Sequence, residues 1–264
     1  MAFSKNDNLH IDRIKSNLKT KRVGGKILVY NSTSSTNDIA TEYAKNKKND
    51  GLAIFAEEQT TGRGRTGTKW ISGRSDSILC SIVLTVNKLN PEMLSLTLAV
   101  ATAEAIGKHG DSEAKIKWPN DILLDGKKVA GILLESKSNN NHTAHILGIG
   151  INCHQSKKDF PVELQSTATS IDIESHSIVD RISLTKRLLT SIEHWLEVAE
   201  KNSKKVTAQW HRLSIQLGHR ITVIYNGKKF TGNCIGVDPE KGLILQLEIG
   251  GTRFFDAAHT SIAK

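Results

Sequence analysis

The spacing of apolar residues changes repeatedly along this chain, and each change marks an element. "KILVY" (26–30), "GLAIFAEE" (51–58) and "SILCSIVLTV" (77–86) are short, dense apolar runs that predict strands. After the first of them, Ile39, Ala40, Tyr43 and Ala44 recur at helical spacing, behind the natural N-cap residues Ser35, Thr36 and Asn37. Pro91 opens a predicted helix running to about His109, since proline costs nothing in a first turn. Residues 114–135 break into three short strands, "AKIKW", "DILL" and "KKVAGILLE", the last two joined by the hairpin signal Asp125-Gly126. "NHTAHILGIGINC" (141–153) predicts a further strand. A long helix is expected from about Asp180 to Glu200, with Leu188, Ile192, Trp195, Leu196 and Ala199 as its apolar stripe. Beyond "QWHRLSIQLG" only short strands remain, punctuated by Asn226-Gly227, Asp238-Pro239 and Gly250-Gly251.

These elements predict an α+β fold: a mixed, mainly antiparallel central sheet with helices, followed by a small β-barrel. Residues 1–25 are expected as a short polar extension with one helical turn around "LHIDRIKSNL". Residues 26–214 form the main domain and 215–264 the all-β module. A chain of 264 residues buries enough surface to need no disulfide or metal staple.

Composition narrows the setting. Cys80, Cys153 and Cys234 lie far apart in apolar runs, without a CxxC pair, as three buried thiols of a reducing compartment would. The N-terminus lacks the apolar stretch of a signal peptide, and no run approaches the ~20 apolar residues of a membrane span. A cytoplasmic location is expected, with no membrane partner. The net charge of +9 favours an anionic partner: nucleic acid, a nucleotide or an acidic protein. Many of the lysines, as in "KNKKN" and "KNSKK", read as solvated helix ends, so charge alone does not choose.

Candidate chemistry concentrates in two segments. "QTTGRGRTGTKW" (59–70) contains Gly62-x-Gly64-x-x-Gly67, the spacing of a dinucleotide-binding loop. That motif needs a helix after it to support the pyrophosphate. Here the turn-like "ISGRSDS" follows, then a strand, so the dinucleotide reading fails. The glycines still permit close backbone approach, and Arg63 and Arg65 alternate so that two guanidinium groups can meet one anion. An exposed loop and an RNA-binding patch remain as other readings. The second segment, "KIKWPNDILLDGKKVAGILLE" (115–135), folds back at Asp125-Gly126 and brings Lys127 and Lys128 near Asn120 and Asp121. Two such loops look more like a nucleotide site than a surface ion cluster.

With these two segments, "SSTND" (34–38) and "LGIGIN" (147–152) in order, the chain resembles the biotin–protein ligases (biotin–[acetyl-CoA-carboxylase] ligases) from about Lys26 onward. Its tail, "LGHRITV…FTGNCIGVDPEKGLIL", is similar to their C-terminal SH3-like domain. The resemblance implies a synthetase-like catalytic domain that forms biotinyl-5′-AMP from biotin and MgATP. The biotin then passes to one lysine of a biotin carboxyl carrier domain, with no permanently bound cofactor.

The resemblance implies these roles. Ser35, Thr36 and Gln59 bind the ureido ring of biotin; Gly62, Arg63 and Gly131 lie beside it. Arg65 contacts the phosphate and retains the adenylate. Lys128 bridges the biotin carboxylate and the α-phosphate. Trp70 covers the adenine, Asn120 supports the nucleotide and Asn152 lies near it. Asp121 places Mg²⁺ or orients the accepting lysine. The bland readings are helix caps for Ser35 and Thr36, a core tryptophan for Trp70 and a strand bulge for Gly131.

Thr66 and Thr68 stand where the family loop commonly carries Arg or Lys, Gly73 and Ser77 where a Pro and an Asn are usual, and Arg74 adds a charge. Altered loop mobility or adenylate retention is expected, not a lost reaction. The first 25 residues are too few for the DNA-binding domain of many members, so a monofunctional enzyme without specific DNA binding is expected, as monomer or homodimer. A lipoate or octanoyl transferase and a basic nucleic-acid-binding module are the alternatives.

Overall fold

The computed structural model describes residues 8–109, 112–139, 142–248 and 250–263. Its centre is a seven-stranded sheet. The strands are β1 (Ile27–Tyr30), β2 (Ala53–Ala56), β3 (Ser77–Leu84), β6 (Lys115–Lys117), β7 (Asp121–Leu124), β8 (Lys127–Asn139) and β9 (His142–Asn152), in the order β1-β2-β3-β9-β8-β7-β6. Only β1 and β2 run parallel; every other neighbour is antiparallel. A two-residue ribbon, β4 (Lys108–His109) with β5 (Ser112–Glu113), stands apart. The expected mixed, mainly antiparallel sheet is what the chain forms.

Side chains alternate across a strand, so each strand serves two layers. One face carries Ala53 and Phe55 of β2, Ile78, Cys80, Ile82 and Leu84 of β3, and Leu147, Ile149 and Ile151 of β9, all within the main core. Helix α3 (Pro91–Ile106) lies against this layer and buries twelve residues; α5 (Arg181–Lys201) packs on it through Leu188, Ile192, Trp195 and Leu196. Helix α3 stops earlier than the expected His109, because Gly107 takes φ +71° and closes it. The opposite face is mixed. A small cluster of Ile54, Val83, Ala144 and Ile146 packs under Ala40 of α2 (Thr36–Tyr43) and its C-cap Ala44. Beside it the same face is paved by Gly131, Gly148 and Gly150.

The polar N-terminal stretch forms the expected helical turn, α1 (Ile11–Lys15), but beyond the sequence pattern it places Leu9, Ile14 and Val23 in the main core. Glu193 of α5 accepts the backbone N–H groups of Lys21, Arg22 and Val23. Helices α4 (Ile171–Ser175) and α6 (Ser203–Leu213) were not expected; α6 buries Val206, Trp210 and Leu213 at helical spacing. The three cysteines are buried and free, as expected.

The tail forms a five-stranded antiparallel sheet: β10 (Arg220–Tyr225), β11 (Lys228–Asp238), β12 (Gly242–Leu247), β13 (Thr252–Phe255) and β14 (Thr260–Ile262), ordered β13-β12-β11-β10-β14. Asn226-Gly227 makes the expected hairpin turn, with φ +47° and +77°. The end strands β13 and β14 are not paired with each other among the described residues, so the expected small SH3-like β-module is an open five-stranded ladder.

A buried charge locks the main domain. Arg181 is wholly buried at the start of α5, pairs with Glu57 at 2.9 Å and donates to the Ser77 carbonyl at 3.1 Å. Removing one partner strands the other charge in the core. Arg181→Ala is therefore expected to lower the unfolding free energy by about 3–5 kcal/mol in urea titration. A loss under about 1 kcal/mol would mean that Glu57 finds another partner.

Candidate functional site

The glycine-paved face opens into a cavity of about 390 Å³. The glycine-arginine segment folds over it as a closed loop. Trp70 N–H donates to the Gly62 carbonyl (3.0 Å) and Gly64 N–H to the Thr68 carbonyl (2.7 Å), while Arg65–Gly67 makes a 3₁₀ turn with Gly67 at φ +78°. Thr68 adds a hydroxyl bond to the Arg65 carbonyl (2.8 Å), so it closes the loop rather than leaving it loose. The side chain of Thr66 lies outside the described residues. Gly62 sits behind the wall: a Cβ there would come within 2.9 Å of the Trp70 carbonyl and 3.0 Å of Gln59 Nε2.

Trp70 explains two of the three paving glycines, while a Cβ on the third, Gly148, would lie 2.5 Å from Asn37 Oδ1. Gly131 and Gly150 are direct cross-strand partners. A Cβ on Gly150 would lie 2.6 Å from the Trp70 indole, and one on Gly131 3.0 Å from it. The ring thus rests flat enough on bare backbone to exclude any side chain beneath it. Its Nε1 is buried without a hydrogen-bond partner among the described residues.

A bulge sets the direction of Lys128. Ile122 pairs with Ala130 but Leu123 with Lys128, so Val129 is an extra residue in β8. Without it, Lys128 and Gly131 would face opposite sides of the sheet. With it, Lys128 Nζ would lie 3.3 Å from a Cβ added to Gly131, on the same side as Trp70, and is 5.9 Å from the Trp70 ring centroid. The backbone of Lys128 is held on its far side by Thr167 and Thr169 (2.8 and 2.9 Å). Its ammonium pairs with Asp121 at 2.6 Å. Asn120 braces the same corner, exchanging hydrogen bonds with the backbone of Ile132.

Arg65 ties three parts of the molecule together. It donates to Asn120 Oδ1 (3.4 Å), to the Thr260 carbonyl (3.1 Å) and to the Ala257 carbonyl. Burial pulls its pKa down, opposed by the charges of Asp121, Glu92 and Asp256. The tail sheet therefore reaches the site, and Thr260, Ser261 and Ile262 line the cavity. Arg63 lines the cavity too but is tied to α2. It forms a two-pronged pair with Asp38 (2.6 and 3.0 Å), whose hydrogen bond holds the Asp38 carboxyl below its usual pKa.

The remaining wall is neutral and polar. Gln59 Oε1 accepts from the backbone N–H (2.7 Å) and hydroxyl (2.9 Å) of Thr36. Ser81 Oγ lies within hydrogen-bond distance of Thr36 and Asn37, and Asn37 donates to Glu135 (2.7 Å). Ser35 caps α2 by accepting from Asn37 N–H, and lines the cavity as well.

Of the residues expected from sequence, Ser35, Thr36, Gln59, Arg63, Arg65, Trp70, Asn120, Asp121, Lys128 and Gly131 all line this cavity. Gly62 stands just behind it. Asn152 does not reach it: it is buried, donates to the Thr169 carbonyl (2.9 Å) and accepts from Gln155. Asp121 is the single carboxylate among the described lining residues, and no cluster of three metal-ligating side chains occurs among the described residues. A lone carboxylate suits a magnesium ion that arrives on a phosphate group, not a resident one. Sequence reasoning missed Asn37, Ser81, Gly148 and Gly150. The two glycines had a signal, since they alternate in "LGIGIN" and so share one face. Thr260–Ile262 had none.

Comparison with known proteins places these features in company. A model of the biotin/lipoate A/B protein ligase family matches residues 29–152. The bifunctional ligase/repressor BirA of Bacillus spizizenii is 31% identical over 248 residues, which cover 92% of this chain and 76% of that protein. The biotin–[acetyl-CoA-carboxylase] ligase of Paracoccus denitrificans is 31% identical over 81% of this chain and 91% of its own length. Among solved structures, the biotin protein ligase of Aquifex aeolicus in complex with biotin and ATP superposes with a TM-score of 0.78 at 27% identity, covering 91% of this chain and 99% of that one.

Proposed function

The chain belongs to the biotin/lipoate A/B protein ligase family, and from that membership we propose that it is an ATP-dependent biotin–protein ligase. It joins biotin to ATP as biotinyl-5′-AMP, releasing pyrophosphate, and transfers the biotinyl group to a lysine of a biotin carboxyl carrier domain. The observation that supports this reading best is the combination within one cavity. A neutral hydrogen-bonding set (Ser35, Thr36, Gln59) suits an uncharged ureido ring. The Trp70 indole, seated on the glycine floor, offers an apolar wall that suits a flat apolar body. Two cations, Lys128 and Arg65, suit a carboxylate meeting a phosphate.

In the first step two anions must approach each other. Lys128 neutralises the biotin carboxylate and the α-phosphate together, and Asp121 holds its ammonium in place. Arg65, anchored to backbone carbonyls at two points, carries its charge to the phosphate on a fixed arm. Magnesium enters as part of the ATP substrate. Among the described residues no helix is long and apolar enough to cross a membrane, and the enzyme is proposed to act in the cytoplasm.

Two outcomes check this reading. Incubation with biotin, MgATP and a carrier domain is expected to add a single biotinyl mass to the carrier, on one lysine; an unmodified carrier in the presence of folded enzyme would refute the activity. Gly150→Ala puts a methyl group where the Trp70 ring lies. It is expected to raise the KM for biotin by about tenfold, worth ~1.4 kcal/mol of binding, with little change in melting temperature. An unchanged KM would mean that the ring's seat is not part of the biotin site.

A further inference from the structure

A second cavity, of about 290 Å³, lies on the other side of Arg65. It shares Arg65, Pro119, Asn120 and Ile132 with the first cavity. The Arg65 arm, which runs from Asn120 to the carbonyls of Ala257 and Thr260, therefore borders both cavities where they adjoin. The second cavity is walled by the first turn of α3, by β8 and by the tail segment 257–258, and it contains one carboxylate, Glu92. Glu92 Oε1 accepts from Ala257 N–H at 2.9 Å. Its Oε2 is shielded from solvent and has no hydrogen-bond partner among the described residues. A buried carboxylate oxygen without a donor is costly, and native structures keep such groups where something else supplies the donor.

The charge of this cavity limits what enters it. The lining carries one guanidinium, Arg65, and one carboxylate, Glu92, and nearby Asp256 adds a negative charge on the Glu92 side, so a cation is favoured at the Glu92 wall. The acceptor of the proposed second step is a cation, a lysine ammonium on a flexible four-carbon stem. It must reach the acyl carbon from a side that the biotin and the adenylate do not fill, and it must lose a proton before it attacks.

We propose that the second cavity is the port for the acceptor lysine, and that Glu92 binds its ammonium and takes its proton. This rests on the ligase reading above. In the step, one N–H proton of the ammonium passes to Glu92. The freed amine forms a bond to the biotinyl carbonyl carbon. The bond from that carbon to the phosphate oxygen breaks, AMP leaves with the electron pair, and the second proton of the nitrogen goes to solvent. The groups facing Glu92 fit a base. Burial raises its pKa and the charge of Asp256 raises it further, against the Ala257 N–H and the charge of Arg65. A carboxylate shifted upward accepts a proton more readily than an ordinary one.

The test separates the two half-reactions in the full-length enzyme. Glu92→Gln is expected to leave biotin-dependent pyrophosphate exchange within about twofold of the wild type, while transfer from biotinyl-AMP to the carrier lysine falls by about 10²-fold near neutral pH. The deficit is expected to narrow as the pH rises toward the ordinary lysine pKa of about 10.4. Transfer to hydroxylamine, which attacks as a neutral nucleophile, is expected to stay unchanged. Ala258→Leu, which narrows the mouth, is expected to raise the KM for the carrier without affecting exchange, and it stands as an independent check should Glu92→Gln fold poorly. Lysine transfer at the wild-type rate in Glu92→Gln, or an equal loss with hydroxylamine, would overturn the proposal. So would a changed magnesium dependence of exchange with lysine transfer intact, which would make the cavity a metal site. Absence of exchange in the wild type would instead strike at the ligase reading itself.

Discussion

Replacing Lys128 with alanine is expected to slow single-turnover formation of biotinyl-AMP by about 10²–10³-fold or more, without unfolding the protein. The size follows from where the charge sits. Lys128 is the cation that the bulge at Val129 turns onto the glycine floor, beside Trp70. Its backbone is fixed by Thr167 and Thr169, and its ammonium by Asp121. The structure thus invests in holding one charge at one point. The side chain is about one-third exposed, so its loss removes little packing and the melting temperature is expected to stay near that of the wild type. Lys128→Arg keeps the charge but not the compact point donor, and is expected to recover only part of the rate. Formation at near wild-type rate by Lys128→Ala would remove this residue from the chemistry.

Arg65→Gly is expected to act on retention rather than formation. Adenylate formation should fall by about tenfold or less, while release of biotinyl-AMP from the enzyme accelerates by about 10²-fold, the effect of losing about 2.7 kcal/mol of charge-assisted contacts. Arg65 is the link between the loop over the cavity and the tail sheet. With glycine there, the loop keeps its internal bonds at Gly62–Trp70 and Gly64–Thr68 but loses its anchor. Free adenylate then reacts with lysines that the carrier surface never presented, so labelling of an unrelated lysine-rich protein should rise. A half-life of bound biotinyl-AMP equal to the wild-type value would show that the tail contact does not retain the intermediate.

The central strands, α2, α3 and α5 were legible because each has an unbroken period and a clear boundary: Ser35 and Asp180 as caps, Pro91 in a first turn, Asp125-Gly126 and Asn226-Gly227 at hairpins. Helix α6 was not, because its "SKKVTAQWHRL" has only three buried residues among charged ones. The N-terminal stretch was misleading for the same reason. Its lysines dominate the composition, yet Leu9, Ile14 and Val23 are the residues that pack.

The site divides along a similar line. Residues within one loop or one hairpin, from Gln59 to Trp70 and from Asn120 to Gly131, were readable because local chain reversal brings them together. The contact of Arg65 with Ala257 and Thr260 spans more than 190 positions and depends on how the tail sheet docks, which no local pattern encodes. Asn152 shows the converse. Its motif placed it near the nucleotide, but its side chain serves the buried backbone of Thr169. The loop threonine Thr68 was read as a missing charge; in the fold its hydroxyl closes the loop.

The account is tested most directly by exchange of labelled pyrophosphate into ATP by the full-length protein, with and without biotin. It predicts exchange that requires biotin, saturates with it and is lost in Lys128→Ala. Folded protein that shows no biotin-dependent exchange, or exchange that persists undiminished in Lys128→Ala, would contradict it.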